Sequence, residues 1–199
     1  MVTGLTPASF NKLVLNAGVM LKNFDYSEYT TAAALADAIK AAINGDSWIG
    51  ATRGGCSFSA TPSIRDITAD GMRSAFVGST FNDGWDVSMS ATLIEMTSDS
   101  LKMALGSVDS TKSGDVTTIT LRTAYKDSDY IENIVWIGDM ADGGFVLIEI
   151  ENALAVSGLS MSFSDKGEGE IPIKLKAHQA SVEDQDTAPC KILLFGKAA

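Results

Sequence analysis

The 199-residue chain is 45% hydrophobic and 20% charged, with 18 glycines, 4 prolines, 2 cysteines and 1 histidine. That is apolar material enough for one folded domain, with or without arms, and too few cysteines for a secreted disulfide scaffold. The net charge of −10 lies after residue 60, and the run from Asp127 to Glu151 holds seven acids and no base, a surface that repels nucleic acid rather than gripping phosphates.

Residues 1–29 mix Gly4, Pro7, Gly18 and the aromatics Phe10, Phe24, Tyr26 and Tyr29 with no sustained period. The segment reads as a strand plus an arm, or as a tail that docks on a neighbour. No basic region precedes its apolar run and Asn16 interrupts it, so a secretory signal is not expected. No stretch approaches the roughly 18 apolar residues of a membrane-crossing helix. Synthesis and folding in the cytoplasm are the expectation.

Residues 30–199 read as a single β domain. Its first element is a helix over 30–44, TTAAALADAIKAAIN, rich in alanine. Leu35, Ala38, Ile39, Ala42 and Ile43 form one stripe at helical spacing. Thr30 or Thr31 caps its start, and Gly45 suits a left-handed stop.

After Gly45 the period becomes two. Cys56, Phe58 and Ala60 alternate with serines. Trp85, Val87, Met89, Ala91 and Leu93 alternate with polar residues, as do Leu159, Met161 and Phe163, and Ile171, Ile173, Leu175 and Ala177. These are half-buried strands, and in this pattern Trp85 and Trp136 point inward. Val116–Thr123 is β-branched and strand-prone. Residues 98–105 read as a short helix with a Ser or Asp cap, stopped by Gly106. Pro172 falls on a polar face, which suggests an edge or a bulge.

Two strands, around Ile134–Ile137 and Phe145–Ile148, are apolar on both faces, with Asp142-Gly143-Gly144 as the turn between them. A strand of that kind is covered on both sides. In a two-layer domain the second cover would be another subunit. The pattern as a whole predicts a mainly β fold: an antiparallel β domain with helical decoration.

Chemistry is harder to find. The single histidine, His178, shares a polar strand face with Lys174 and Lys176, which reads as solvated surface. One His and two remote Cys do not make a zinc site. Arg53-Gly54-Gly55 lacks the Gly-Lys-Ser/Thr of a phosphate loop. Asp127-Ser128-Asp129 and the acidic run from Asp165 to Glu170 lack full calcium-loop spacing and read as solvated turns. No carboxylate pair stands out for glycoside hydrolysis. No catalytic residue, cofactor or metal is expected. The rival class is a carbohydrate-binding or hydrolytic jelly roll, for which Trp48, Trp85 and Trp136 supply aromatics. An antiparallel domain with surplus apolar face and an acidic half fits self-assembly better.

Several pieces carry a resemblance: Asn16-Ala17-Gly18-Val19 with Leu21-Lys22-Asn23-Phe24-Asp25, then Gly50-Ala51-Thr52-Arg53-Gly54-Gly55, Pro62, Arg65-Asp66-Ile67 and Asp70-Gly71. Downstream, the strand from Trp85 to Met96, the following short helix and Ile171–His178 continue it. In order and spacing these resemble the tail tube (major tail) proteins of long-tailed bacteriophages. The resemblance implies an antiparallel β-sandwich or split barrel with one or two flanking helices, and hexameric rings of it, self-associated and stacked into a hollow virion tube through which DNA passes without specific binding. It implies tape-measure, terminator and baseplate or initiator proteins as partners. Phage-tail-like bacteriocins and secretion systems use related tubes. On this reading Arg53, Arg65, Asp66 and Trp136 belong at subunit boundaries, Glu149 and Glu151 point into an acidic lumen, and the 30–44 helix is an outward decoration.

Overall fold

The computed structural model describes residues 10–161, 165 and 169–196. In chain order these form β1 (Val19–Lys22), α1 (Ala32–Ile43), β2 (Thr52–Asp66), β3 (Thr80–Leu93), α2 (Ser98–Leu105), β4 (Val108–Ser113), β5 (Val116–Leu121), β6 (Ile131–Asp139), β7 (Phe145–Ala155), β8 (Ile171–Lys176) and β9 (Cys190–Phe195). Every pairing is antiparallel. The fold is mainly β, a sandwich with two helices on its flanks.

One strand makes the sandwich. The first part of β7 pairs with β6 on one side and β9 on the other, whereas Leu154 and Ala155 pair with β8. Between them Asn152 adopts φ 46, a left-handed conformation that asparagine tolerates better than most residues. Its side-chain amide donates to the His178 carbonyl at 3.2 Å, which pins the bend. The sheet order β1-β6-β7-β8-β3-β2 thus folds into two halves, β1-β6-β7-β9 and β8-β3-β2. Ile134 and Ile150 of the first half meet Val87, Met89, Leu93, Ile173 and Leu175 of the second in one buried cluster.

The other face of β6 and β7 is covered by the chain itself. Leu21, Val135, Ile137 and Leu147 pack with Phe24 and with Leu35 and Ile39 of α1. This corrects the expectation that a neighbouring subunit supplies the second cover. The alanine-rich stripe of α1 provides it, and the domain has three layers. β1 likewise belongs to the domain's own sheet, with Met20 and Leu21 buried.

Local signals explain the element ends. Thr31 Oγ1 accepts from the Ala34 amide at 3.4 Å and starts α1. Gly45 is not left-handed, contrary to the expectation. The helix stops at Asn44, whose side chain donates to the Lys40 carbonyl at 2.8 Å. α2 is capped by Thr97, one residue before the foreseen Ser or Asp, through a reciprocal bond pair with Ser100; Gly106, at φ 76, ends it. Pro172 sits where β8 has β3 on one side and β7 no longer reaches, so its missing N–H costs no ladder bond there. The alternation at Leu159 and Met161 yields no strand: both side chains pack on the core from irregular backbone. Residues 162–164 and 166–168 lie outside the described residues.

Candidate interaction surface

The longest pairing is the hairpin of β2 and β3, from Thr52↔Leu93 to Asp66↔Thr80. It begins with the Arg53-Gly54-Gly55 stretch. Two extra residues there, at φ 78 and 81, form a bulge between the Arg53↔Thr92 and Cys56↔Ala91 pairs. Added Cβ atoms at Gly54 would meet nothing, and at Gly55 only Ala17 at 3.8 Å. Backbone conformation, not space, demands glycine at both positions.

Beyond the bulge, Cys56, Phe58 and Ala60 face the core opposite Ala91, Met89 and Val87. The next residues on that face are Pro62 with Trp85, then Ile64. β8, however, pairs with β3 only from Ser88 onward. The hairpin therefore runs past the body as an arm, and its core-facing side runs with it uncovered. Trp85 is 45% exposed and Ile64 62%. This corrects the inward placement of Trp85: alternation tells which face a residue occupies, not whether another layer reaches that far. The arm's tip adds exposed Ile67, Phe76 and Val77.

The expected boundary residues flank this arm. Arg65 makes a two-pronged pair with Asp83, at 2.7 and 2.9 Å, across the hairpin's second bulge, and its guanidinium lies 6.0 Å from the Phe81 ring centre. The pairing holds Asp83 below the usual carboxylate range and raises Arg65. Asp66 accepts from Thr80 Oγ1 at 2.6 Å across the same strands. Arg53 pairs with Glu170 at 2.9 Å, both ends about half exposed. All three are bonded within the chain and stiffen the arm or its root.

No protein-family model matches the chain, and no curated protein matches it. The surfaces themselves carry the reading.

A second uncovered face lies on the other half-sheet. Ile192 pairs with Ile148, which pairs with Trp136; Leu194 pairs with Val146, which pairs with Gly138; Val14 bridges to Met140. Trp136 and Ile148 pack against the core between the half-sheets. Ile192 and Leu194, further out on that side, are 59% and 71% exposed, and Val14, across β7 and β6 at the opposite edge of the half-sheet, is exposed as well. Trp136 is half-buried, with its indole N–H donating to the Ala17 carbonyl at 3.0 Å. The ring lies across Gly18 and Gly138, where a Cβ would collide with it. Sequence reasoning missed β9, although CKILLF is an apolar run of strand-forming residues.

Glu149 does not stand bare to solvent. It is 5% exposed, accepts from Tyr26 Oη and from Asn133 Nδ2 (3.0 Å), and lies 3.8 Å from Lys191. Burial, then the bond to Glu149, holds the Tyr26 phenol above its ordinary pKa. Glu151 is bonded to Lys191, and that bond raises the lysine. The two glutamates expected to line a channel thus share one cation, and Glu149 sits under the layer that contains Tyr26.

His178 is not on a solvated strand face. It lies past the end of β8, half-buried, with its ring edge-on to Tyr130 at 5.3 Å and Nδ1 3.3 Å from the Asn152 carbonyl. Asp129 is held by Arg122, which also reaches Asp109. Cys56 and Cys190 are half-buried free thiols, and burial raises both, Cys56 to about 11. Among the described residues no cluster of three or more His, Cys, Asp or Glu is placed to hold a metal, and no helix is long and apolar enough to cross a membrane.

Proposed function

We propose that this protein is a structural subunit that polymerises with itself, as stacked hexameric rings, into a phage tail tube that conducts DNA. The observation that carries the reading is the β2–β3 arm, whose apolar face continues beyond the body with no layer of its own chain to cover it. A lone soluble domain gains nothing from such an arm, and an assembling one uses it. The sandwich with flanking helices is the architecture that the sequence resemblance implies. The acidic charge suits a conduit, because a negative wall leaves no cation to trap a moving phosphate backbone. Since Glu149 and Glu151 are engaged within the chain, wall charge in this reading comes from exposed acids of the same run, such as Asp127 and Glu132. A bacteriocin or secretion-system tube uses the same geometry. Tape-measure, terminator and initiator proteins are the further partners of the proposed tube, and the virion tail its place.

Negative-stain electron microscopy of the concentrated protein tests this. Rings or hollow tubes are expected, with Arg53→Ala reducing tube yield while the monomer stays folded. Wild-type tube yield from Arg53→Ala would remove Arg53 from the boundary. A persistent monomer that binds in a glycan screen would overturn the tube. That outcome would favour the second reading, a carbohydrate-binding domain, which the exposed rings of Trp48 and Trp85 support.

A further inference from the structure

The half-sheets of the sandwich do not cover each other completely. Each has a stretch of inner face that its partner half does not reach, and both stretches are apolar. On the β8-β3-β2 half it is the arm, with Pro62, Ile64 and Trp85. On the β1-β6-β7-β9 half it is the outer part of β9 and the strand-like segment at Val14, with Ile192 and Leu194. We propose that these two faces are the complementary sides of one contact between copies: the arm of one copy lies on the Val14, Ile192 and Leu194 face of the next. The proposal deepens the self-assembly reading above and rests on it.

Three observations support the match. First, both faces are continuations of surfaces that already pack on each other within one chain. Bringing them together across a boundary extends the same sandwich and needs no new kind of packing. Second, both faces carry several apolar side chains. The arm with its tip presents Ile64, Trp85, Ile67, Phe76 and Val77, and the receiving face presents Val14, Ile192 and Leu194, all about half exposed or more. Exposed apolar patches of about 300–600 Å² mark interaction sites, and a stable interface takes about 800 Å² from each partner, which a polar rim would complete. Third, several charges beside the two faces are already paired within each copy. Arg65 is paired with Asp83, Asp86 with Lys176, and Lys191 with Glu151. The contact therefore buries apolar surface beside paired charges, even between chains of net charge −10. Because the two faces differ, every copy offers one of each, and the contact propagates into a closed ring or an open stack.

Two full-length variants test it: Ile64→Glu with Trp85→Glu on the arm, and Ile192→Glu with Leu194→Glu on the receiving face. Circular dichroism and thermal midpoints establish that each folds. The milder Ile64→Gln and Leu194→Gln repeat the design if a double variant does not fold. In sedimentation velocity the wild type should associate, and each variant alone should associate at least ~100-fold more weakly, as expected for losing two buried apolar side chains. An equimolar mixture keeps one intact arm and one intact receiving face. It should form a heterodimer that does not grow. A receiving-face variant that associates like the wild type would overturn the proposal, since the arm then seats elsewhere, and so would a mixture that stays monomeric. Tubes from the receiving-face variant would sink this contact and leave the tube reading standing. A heterodimer in the mixture, with wild-type chains that never become hollow, would do the reverse. A wild type still monomeric near its solubility limit would remove both.

Discussion

In the inner half of the β2–β3 hairpin Met89 and Leu93 are fully buried; in the outer half Trp85 and Ile64, on the same face of the same two strands, are 45% and 62% exposed. The same two strands stay paired across the two halves, with a bulge between Pro62 and Ile64, and the alternation along β2 is unbroken. What changes is the second layer. The opposite half-sheet, α2 and β8 cover the inner half, and none of them reaches the outer one. Burial along a strand is thus decided by what lies across from it. The same apolar side chain stabilises the fold at one position and waits for a partner a few residues further on.

Substitutions on the two halves should separate these roles. Met89→Ala removes a fully buried side chain and should cost about 2–5 kcal/mol in denaturant unfolding. Ile64→Ala should change stability by no more than about 0.5 kcal/mol while weakening association. A large stability loss at Ile64 would mean that the arm is folded into the body and the comparison fails.

The second test concerns the layer between β7 and Tyr26. Glu149→Leu leaves the Tyr26 hydroxyl and the Asn133 amide without their acceptor, and should cost about 1–3 kcal/mol. Glu151→Leu, which loses a partly exposed pair with Lys191, should cost about 1 kcal/mol or less. Equal effects would show that Glu149 is as solvated as Glu151.

A smaller effect should appear at high pH. The native chain holds the Tyr26 proton above the ordinary phenol value of 10.0, by burial first and then through Glu149. The unfolded chain releases that proton near the ordinary value. The contribution is therefore complete below pH 10 and is lost as pH rises through the raised native value. Between pH 9 and 11.5 the urea midpoint of the wild type should fall more steeply than that of Tyr26→Phe. Parallel curves would remove Tyr26 from the buried layer.

The smallest effect is expected at Arg65. Arg65→Ala should leave the thermal midpoint nearly unchanged, because the pair with Asp83 is exposed. Its signature is local: the Asp83 carboxyl, held low by Arg65, should titrate closer to an ordinary aspartate by NMR. An unmoved Asp83 would show that the arm's pair does not form in solution.

Much of the fold was legible in the residues themselves. Period-two alternation at Cys56–Ala60, Trp85–Leu93 and Ile171–Ala177 marks strands because side chains alternate across a sheet. The alanine-rich stripe with its threonine cap marks α1, and Asp142-Gly143-Gly144 marks the β6–β7 turn. These are local preferences, and neighbours in sequence suffice to express them. The doubly apolar strands also announced two covers. Which object supplies the second cover was not local: α1 ends at Ile43 and the doubly apolar strands it lies on begin only at Ile131, and only the folded chain brings them together. The bend at Asn152, the capture of Glu149 by Tyr26 and Asn133, and the overhang of the two half-sheets have the same character. Each depends on where layers end relative to one another. A strand's pattern names the face of every side chain, and the tertiary structure alone decides how far along that face the opposite layer extends.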